Sequence, residues 1–184
     1  MFKNSSKKIL LEIEQVLSKT DEKEVSLLVK ELLGAKTIVA VGAGRVGMAV
    51  RAFAMRLGHF GLKAFTVGDS TVPSIGKGDL LLVSSGSGET QTIFDLVTIA
   101  KKNGAKIALV TGNKDSRIGK LANVVVQIQA PSKTKKIAGF QSIQPMTTLN
   151  EQCLGIFFDT VVLCIMEKTK ETHETMWARH SNLE

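Results

Sequence analysis

The chain has 184 residues, 43% of them hydrophobic and 22% charged, with a formal net charge of +7, a balance that fits one globular unit able to bury a full core. No continuous apolar run reaches the roughly 20 residues of a membrane span, and the opening residues Met1-Phe2-Lys3-Asn4-Ser5-Ser6-Lys7-Lys8 are not followed by the apolar stretch of a secretory signal. No membrane association and a cytoplasmic location are therefore expected. The basic residues are scattered, the tightest cluster being Lys133, Lys135 and Lys136, and the chain contains no Tyr. With no motif of the usual nucleic-acid modules, the positive charge points to a small anion and not to nucleic acid.

In chain order, residues 7–17 show the periodicity of an amphipathic helix, with Ile9, Leu10, Ile13, Val16 and Leu17 on one side. Thr20-Asp21-Glu22 is a helix start, carried on by Val25, Leu28, Val29, Leu32 and Leu33 and stopped by Gly34. These two helices precede the main fold and serve packing or contacts between subunits. Short apolar runs predict five buried strands, at 37–41, 63–67, 79–83, 106–110 and 124–128. Helices are predicted between them at about 46–59, after Thr90 with Ile93, Leu96, Val97 and Ala100 inward, and at about 116–122. Residues 130–145 read as a long loop with two prolines, 147–168 as a long apolar helix, and 171–184 as a tail holding His173, Trp177, Arg179 and His180. Alternation of strand and helix predicts an α/β fold, a doubly wound parallel sheet with helices on both faces. Cys153 and Cys164 lie eleven residues apart in the long helix, about 16 Å of rise. That is too far for a disulfide, and both read as buried thiols. No metal-ligand spacing exists among the two Cys and three His.

Two glycine-rich loops follow the first and third strands. Ser84-Ser85-Gly86-Ser87-Gly88-Glu89-Thr90 joins a strand to a helix start, where unpaired N–H groups and the positive end of the helix dipole suit a phosphate. Ser85, Ser87 and Thr90 add hydroxyl donors; Thr90 also reads as a simple helix cap. The other loop, Gly42-Ala43-Gly44-Arg45-Val46-Gly47, matches Gly-x-Gly-x-x-Gly, by itself a weak dinucleotide signal. Asp69 lies where a ribose-binding acid would sit, but Arg45 within the loop suits a sugar phosphate or a carboxylate better. In a sheet of order 2-1-3-4-5 the two loops face one crevice at the switch point, which is where such folds bind ligands.

These loops, together with Ser142-Ile143-Gln144-Pro145-Met146, Glu151-Gln152 and Ala178-Arg179-His180-x-Asn182-Leu183-Glu184, resemble the sugar isomerase (SIS) domain family and, within it, the 6-phospho-3-hexuloisomerases. The resemblance runs from about residue 35 to the end. It implies a single SIS domain over 1–184, with N-terminal helices at 1–34, an α/β core at 35–168 and a C-terminal tail at 169–184. A five-stranded parallel sheet, a homotetramer, a phosphorylated sugar as substrate and no cofactor are implied with it. So is the isomerisation of 3-hexulose 6-phosphate to fructose 6-phosphate, a step of the ribulose monophosphate route of formaldehyde fixation. Glu151 matches the family's catalytic glutamate and is the candidate base; the alternative is an acid that merely stabilises the first turn of its helix. His180 matches a C-terminal histidine thought to come from a neighbouring subunit, and His59 is a second candidate; a structural role stays open for both. Gly44, Arg45, Ser84, Ser85, Ser87 and Thr90 are the substrate-binding candidates, and Glu89 is either part of the site or solvent-facing.

The chain departs from the family pattern at two places. Val46 stands where a Ser is usual, and Thr147-Thr148-Leu149-Asn150 stands where Gly-Ser-Leu-Phe is usual. Both leave open which sugar phosphate is taken, with arabinose 5-phosphate and heptose 7-phosphate isomerases as rivals of the same family. A phosphosugar-sensing module is the rival of another class, but residues 1–34 are too short for a DNA-binding domain.

Overall fold

The computed structural model describes residues 1–131, 137 and 140–183; the Lys133, Lys135 and Lys136 cluster lies outside them. Two helices come first, α1 (Phe2–Leu17) and α2 (Glu22–Gly34), followed by β1 (Ile38–Gly42), α3 (Gly44–His59), β2 (Ala64–Thr66), β3 (Leu80–Ser84), α4 (Gln91–Lys102), β4 (Lys106–Thr111) and β5 (Val124–Gln127). The long helix α5 (Thr148–Thr169) and the short α6 (His173–Trp177) complete the chain. The strands form one parallel sheet in the order β2-β1-β3-β4-β5, the expected doubly wound arrangement.

Each central strand is buried on both faces, as a sheet covered by helices on either side requires. Ile38, Ala40, Leu80, Leu82, Ala108 and Val110 point to one face, where they pack with residues of α1, α2, α3 and α5. Val39, Val41, Leu81, Val83, Ile107 and Leu109 point to the other, against Ile93, Val97 and Ala100 of α4 and the buried Ile118. Phe53 of α3 and Phe158 of α5 stack at 4.6 Å between ring centroids. By length and mean hydropathy (1.5) α5 could cross a membrane, although no continuous apolar run of that length stands in the sequence. Its apolar content is instead spent on packing: Cys153, Leu154, Phe157, Phe158, Val161 and Ile165 are buried against the sheet face and its neighbouring helices.

The predicted helix at 116–122 is a single 3-10 turn, Gly119–Leu121. The Ser116 hydroxyl accepts the Gly119 N–H at 3.1 Å, and the chain must be extended again by Asn123, whose N–H donates to the Ile107 carbonyl at 2.8 Å. The helix over 46–59 begins two residues earlier, at Gly44. Of the two thiols, Cys153 is buried but Cys164 is only half-buried, because it packs against the core beside an open groove that it lines with Leu17, Val25 and Val29. Asp21 caps α2 by accepting the Lys23 N–H at 2.8 Å, and Glu24 of α2 accepts the Gln127 N–H of the edge strand β5 at 2.9 Å, satisfying an exposed ladder donor.

Helix α1 does more than pack. Its Glu12 carboxylate accepts from Ser142 Oγ (2.7 Å), the Ile143 N–H (2.7 Å) and Gln144 Nε2 (2.9 Å), which fastens the segment leading into α5. Burial works to raise the Glu12 pKa, but the bonds from Gln144, Ile143 and Ser142 outweigh it and hold the carboxyl below its ordinary value of 4.5.

Three outcomes are expected. Phe158→Ala opens a cavity in the shared core and lowers stability by about 3–5 kcal/mol, read as a lowered urea midpoint. Glu12→Ala leaves three donors without their acceptor and costs about 1–3 kcal/mol. Because the folded carboxyl is the more acidic, that contribution is fully present above the ordinary value and fades as pH falls through the lower folded value, so denaturation midpoints of wild type and variant converge at low pH. Burial pushes the Cys153 thiol up to about 12; in native protein near pH 8 Cys153 therefore resists iodoacetamide while Cys164 is alkylated, and both react after unfolding.

Candidate active site

The register Gly42↔Ser84 in the β1–β3 pair ends both strands side by side, so the loops that follow share one crevice at the carboxyl edge of the sheet. The first loop turns at Gly44, whose φ of +59° is the left-handed conformation that a residue with a Cβ adopts only at a cost. Gly47 seats the first turn of α3 on the strand: a Cβ there would lie 2.5 Å from the Gly42 carbonyl oxygen. Together they present Arg45 at the start of α3, over the crevice.

The second loop is built to donate. Ser85 Oγ accepts the Gly88 N–H at 3.1 Å and Ser87 Oγ accepts the Glu89 N–H at 3.2 Å, so each hydroxyl proton remains available. Thr90 stands at the N-cap of α4, yet its side chain makes no capping bond, which sets aside its reading as a simple cap. The first-turn N–H groups of α4 thus keep no internal partner and face the crevice with the dipole's positive end. Glu89 is bound to Arg117. Its carboxylate takes the Arg117 N–H and Nε at 2.9 Å each, and Arg117 Nη2 returns a bond to the Glu89 carbonyl at 2.7 Å. That clamp ties the loop to the chain beyond β4, and the Arg117 backbone and side-chain bonds lower the Glu89 pKa.

The third wall comes from α5. Thr147, Asn150 and Glu151 line a cleft of about 260 Å³ with Gly44, Arg45, Val46, Ser84, Ser85, Ser87 and Thr90. The Glu151 carboxylate is held from two sides. Thr147 Oγ1 donates to Oε1 at 2.9 Å, and Arg45 Nη1 lies 3.1 Å from Oε2. The glutamate side chain is only 15% exposed, so it faces the cleft and not bulk water. The cleft therefore has a donor-lined pole at α4, a carboxylate at α5 and a guanidinium between loop and helix. Such a set can bind a phosphate at one end and move a proton at the other.

His59 and His180 meet each other and not Glu151. Their rings lie 5.2 Å apart at the far end of α3 from Arg45, about 20 Å along the helix at 1.5 Å per residue. His59 is buried, and Arg179 binds its carbonyl oxygen at 2.9 Å while pairing with Glu171 at 2.9 and 3.0 Å. Trp177 stacks on His180 at 5.0 Å and on the exposed His173 at 5.9 Å. Asp69, the acid of the dinucleotide reading, is taken up by Arg51 at 2.7 Å and by Thr66. Sequence reasoning marked Thr147 and Asn150 only as a departure from the family pattern, without a role in the site, and passed over Arg117. The first two flank Glu151 within one turn, and that proximity was the available signal; nothing local marks Arg117.

The SIS domain family model matches residues 31–154. Over 176 residues the chain is 37% identical to a 3-hexulose-6-phosphate isomerase of Bacillus subtilis, covering 96% of this chain and 95% of that protein. It is 40% identical over 173 residues to one of Mycobacterium gastri, covering 94% and 86%. A crystal structure from Methanococcus jannaschii, for which a 3-hexulose-6-phosphate isomerase function was inferred, superimposes with a TM-score of 0.82 at 30% identity, covering 97% of this chain and 96% of that one. Sheet order, paired glycine loops and relatives agree: the chain belongs to the SIS domain family and, within it, is a relative of the 3-hexulose-6-phosphate isomerases.

Proposed function

We propose that the protein interconverts D-arabino-3-hexulose 6-phosphate and fructose 6-phosphate. The observation that carries this is the Glu151 carboxylate standing across one cleft from the hydroxyl-lined start of α4. The phosphate sits on the α4 N-terminus with Ser85, Ser87 and Thr90 donating. Glu151 takes the proton from C2 of the 3-ketose, leaving a cis-enediol between C2 and C3, and returns it to C3 to give the 2-ketose. One carboxylate serves both steps, and Arg45 with Thr147 keeps it aimed. Arg45 also binds the oxygens that carry negative charge as the enediol forms. The relatives' name supports the sugar, and the reaction belongs to formaldehyde fixation through ribulose 5-phosphate.

The two oxygens must exchange a proton as well. His180, with His59 behind it, is the group for that transfer in our reading, and it acts on the cleft of an adjacent subunit of a homotetramer, because about 20 Å of helix separates it from the cleft of its own chain. The protein acts in the cytoplasm and requires no cofactor.

Two measurements check this. Ribulose 5-phosphate, formaldehyde and a hexulose-phosphate synthase generate the substrate, and fructose 6-phosphate is followed as product. Wild type turns over, and Glu151→Gln loses at least ~100-fold in kcat, as removal of a general base does. No turnover by wild type that still binds fructose 6-phosphate would assign the cleft to a sister isomerase or a sensor. For the shared site, Glu151→Gln and His180→Ala are each inactive alone. Subunits of the two, dissociated and reassembled together, recover part of the wild-type rate; if mixing restores nothing, His180 does not serve a neighbour.

A further inference from the structure

Asn150 is the third residue of α5, directly before Glu151. It is 1% exposed, it lines the cleft, and neither its Oδ1 nor its Nδ2 has a hydrogen-bond partner among the described residues. Three polar neighbours are engaged: Thr147 with Glu151, Thr148 with Arg45, Glu151 with both Thr147 and Arg45. A buried carboxamide offers two donors and a two-lone-pair acceptor, and leaving it bare is a cost that folded proteins rarely carry without use. Ser84, fully buried in the same cleft, also has a hydroxyl oxygen with no partner among the described residues. The deepest polar atoms of the cleft are thus the ones left open.

We propose that Asn150 is a substrate-binding residue whose carboxamide hydrogen-bonds hydroxyl groups of the sugar chain and not the phosphate. This rests on the reading of the cleft as a sugar-phosphate site. Phosphate oxygens only accept, so an anion at Asn150 could engage Nδ2 but would leave Oδ1 without a donor. A sugar hydroxyl both donates and accepts, and neighbouring hydroxyls satisfy both ends of one amide. Position agrees with chemistry. The phosphate is drawn to the first turn of α4, and the carbons next to the carbonyl must reach Glu151, so the polyol lies against the first turn of α5. Gly86 belongs to the same device, since a Cβ there would stand 2.9 Å from Asn150 Oδ1 and push the amide from its place.

The test is calorimetric titration of wild type, Asn150→Ala and Asn150→Leu with fructose 6-phosphate, arabinose 5-phosphate and inorganic phosphate, with a thermal melt of each ligand-free protein. Asn150→Ala is expected to weaken fructose 6-phosphate binding at least about tenfold, the size of a lost hydrogen bond or two, while inorganic phosphate binds as to wild type. Ligand-free Asn150→Ala is expected to melt no lower than wild type, because the amide has no partner to lose. Asn150→Leu, which fills more of the space, gives the same ratio of sugar-phosphate to phosphate affinity if Asn150→Ala packs poorly. Equal losses for sugar phosphate and phosphate, no loss for either, or a markedly lower melt in both variants overturns the proposal. Wild type that binds arabinose 5-phosphate but not fructose 6-phosphate sinks the hexulose reading alone, and the same ratio taken on arabinose 5-phosphate then decides the role of Asn150. Binding of neither sugar phosphate overturns both.

Discussion

The parallel pairing of β1 with β3 is the constraint on which the site depends. Strand order 2-1-3-4-5 makes these two strands neighbours although a helix and a further strand separate them in the chain. The chain then leaves β1 and β3 toward opposite edges of the sheet, and the space between them at the carboxyl edge stays open. Gly42 and Ser84 end in register, so each loop begins at the same height on the sheet. The close approach of α3 to β1 at Gly47 follows from the same geometry: the helix must start at once if Arg45 is to overhang the crevice.

Helix α5 closes the remaining side, and its two halves do different work. Beyond Cys153 its inward face is aromatic and aliphatic and locks onto α3 and the sheet. In its first turn Leu149 still joins the core, but beside it stand Asn150 and Glu151, polar groups with little access to water. The apolar half fixes the helix in place, and that fixed position is what allows the polar turn to be held out of solvent. A carboxylate there needs partners, and Arg45 and Thr147 supply them without filling the cleft.

Parts that read as peripheral act as anchors for this arrangement. Glu12 of α1 gathers the N–H of Ile143 and the side chains of Ser142 and Gln144, so the segment that points to the hexuloisomerases is held here by a carboxylate from the opposite end of the chain. Glu89, near the end of the second glycine loop, turns outward to Arg117 and stiffens the loop from behind. Arg179 ties the tail to the carbonyl of His59, which keeps the two imidazoles together at the end of α3.

Strand and helix periods and the two glycine loops are local patterns, and the sequence by itself determined them; Glu151 was singled out by the family resemblance. A strand buried on both faces is apolar along its middle, a helix over a sheet repeats at three and four, and a tight strand-to-helix turn favours glycine. The 116–122 segment shows the limit of such patterns: its helical look was overridden by the need of Asn123 to rejoin the sheet beside Ile107. The tertiary structure alone decided that Arg45 pairs with Glu151, that Thr90 does not cap, that His59 and His180 stand with each other away from the carboxylate, and that Asn150 is buried with no hydrogen-bond partner among the described residues. Each of these depends on distances between residues far apart in the chain or on which neighbours are absent. No local propensity encodes either, because a side chain's partners are set by where the packed core finally places it.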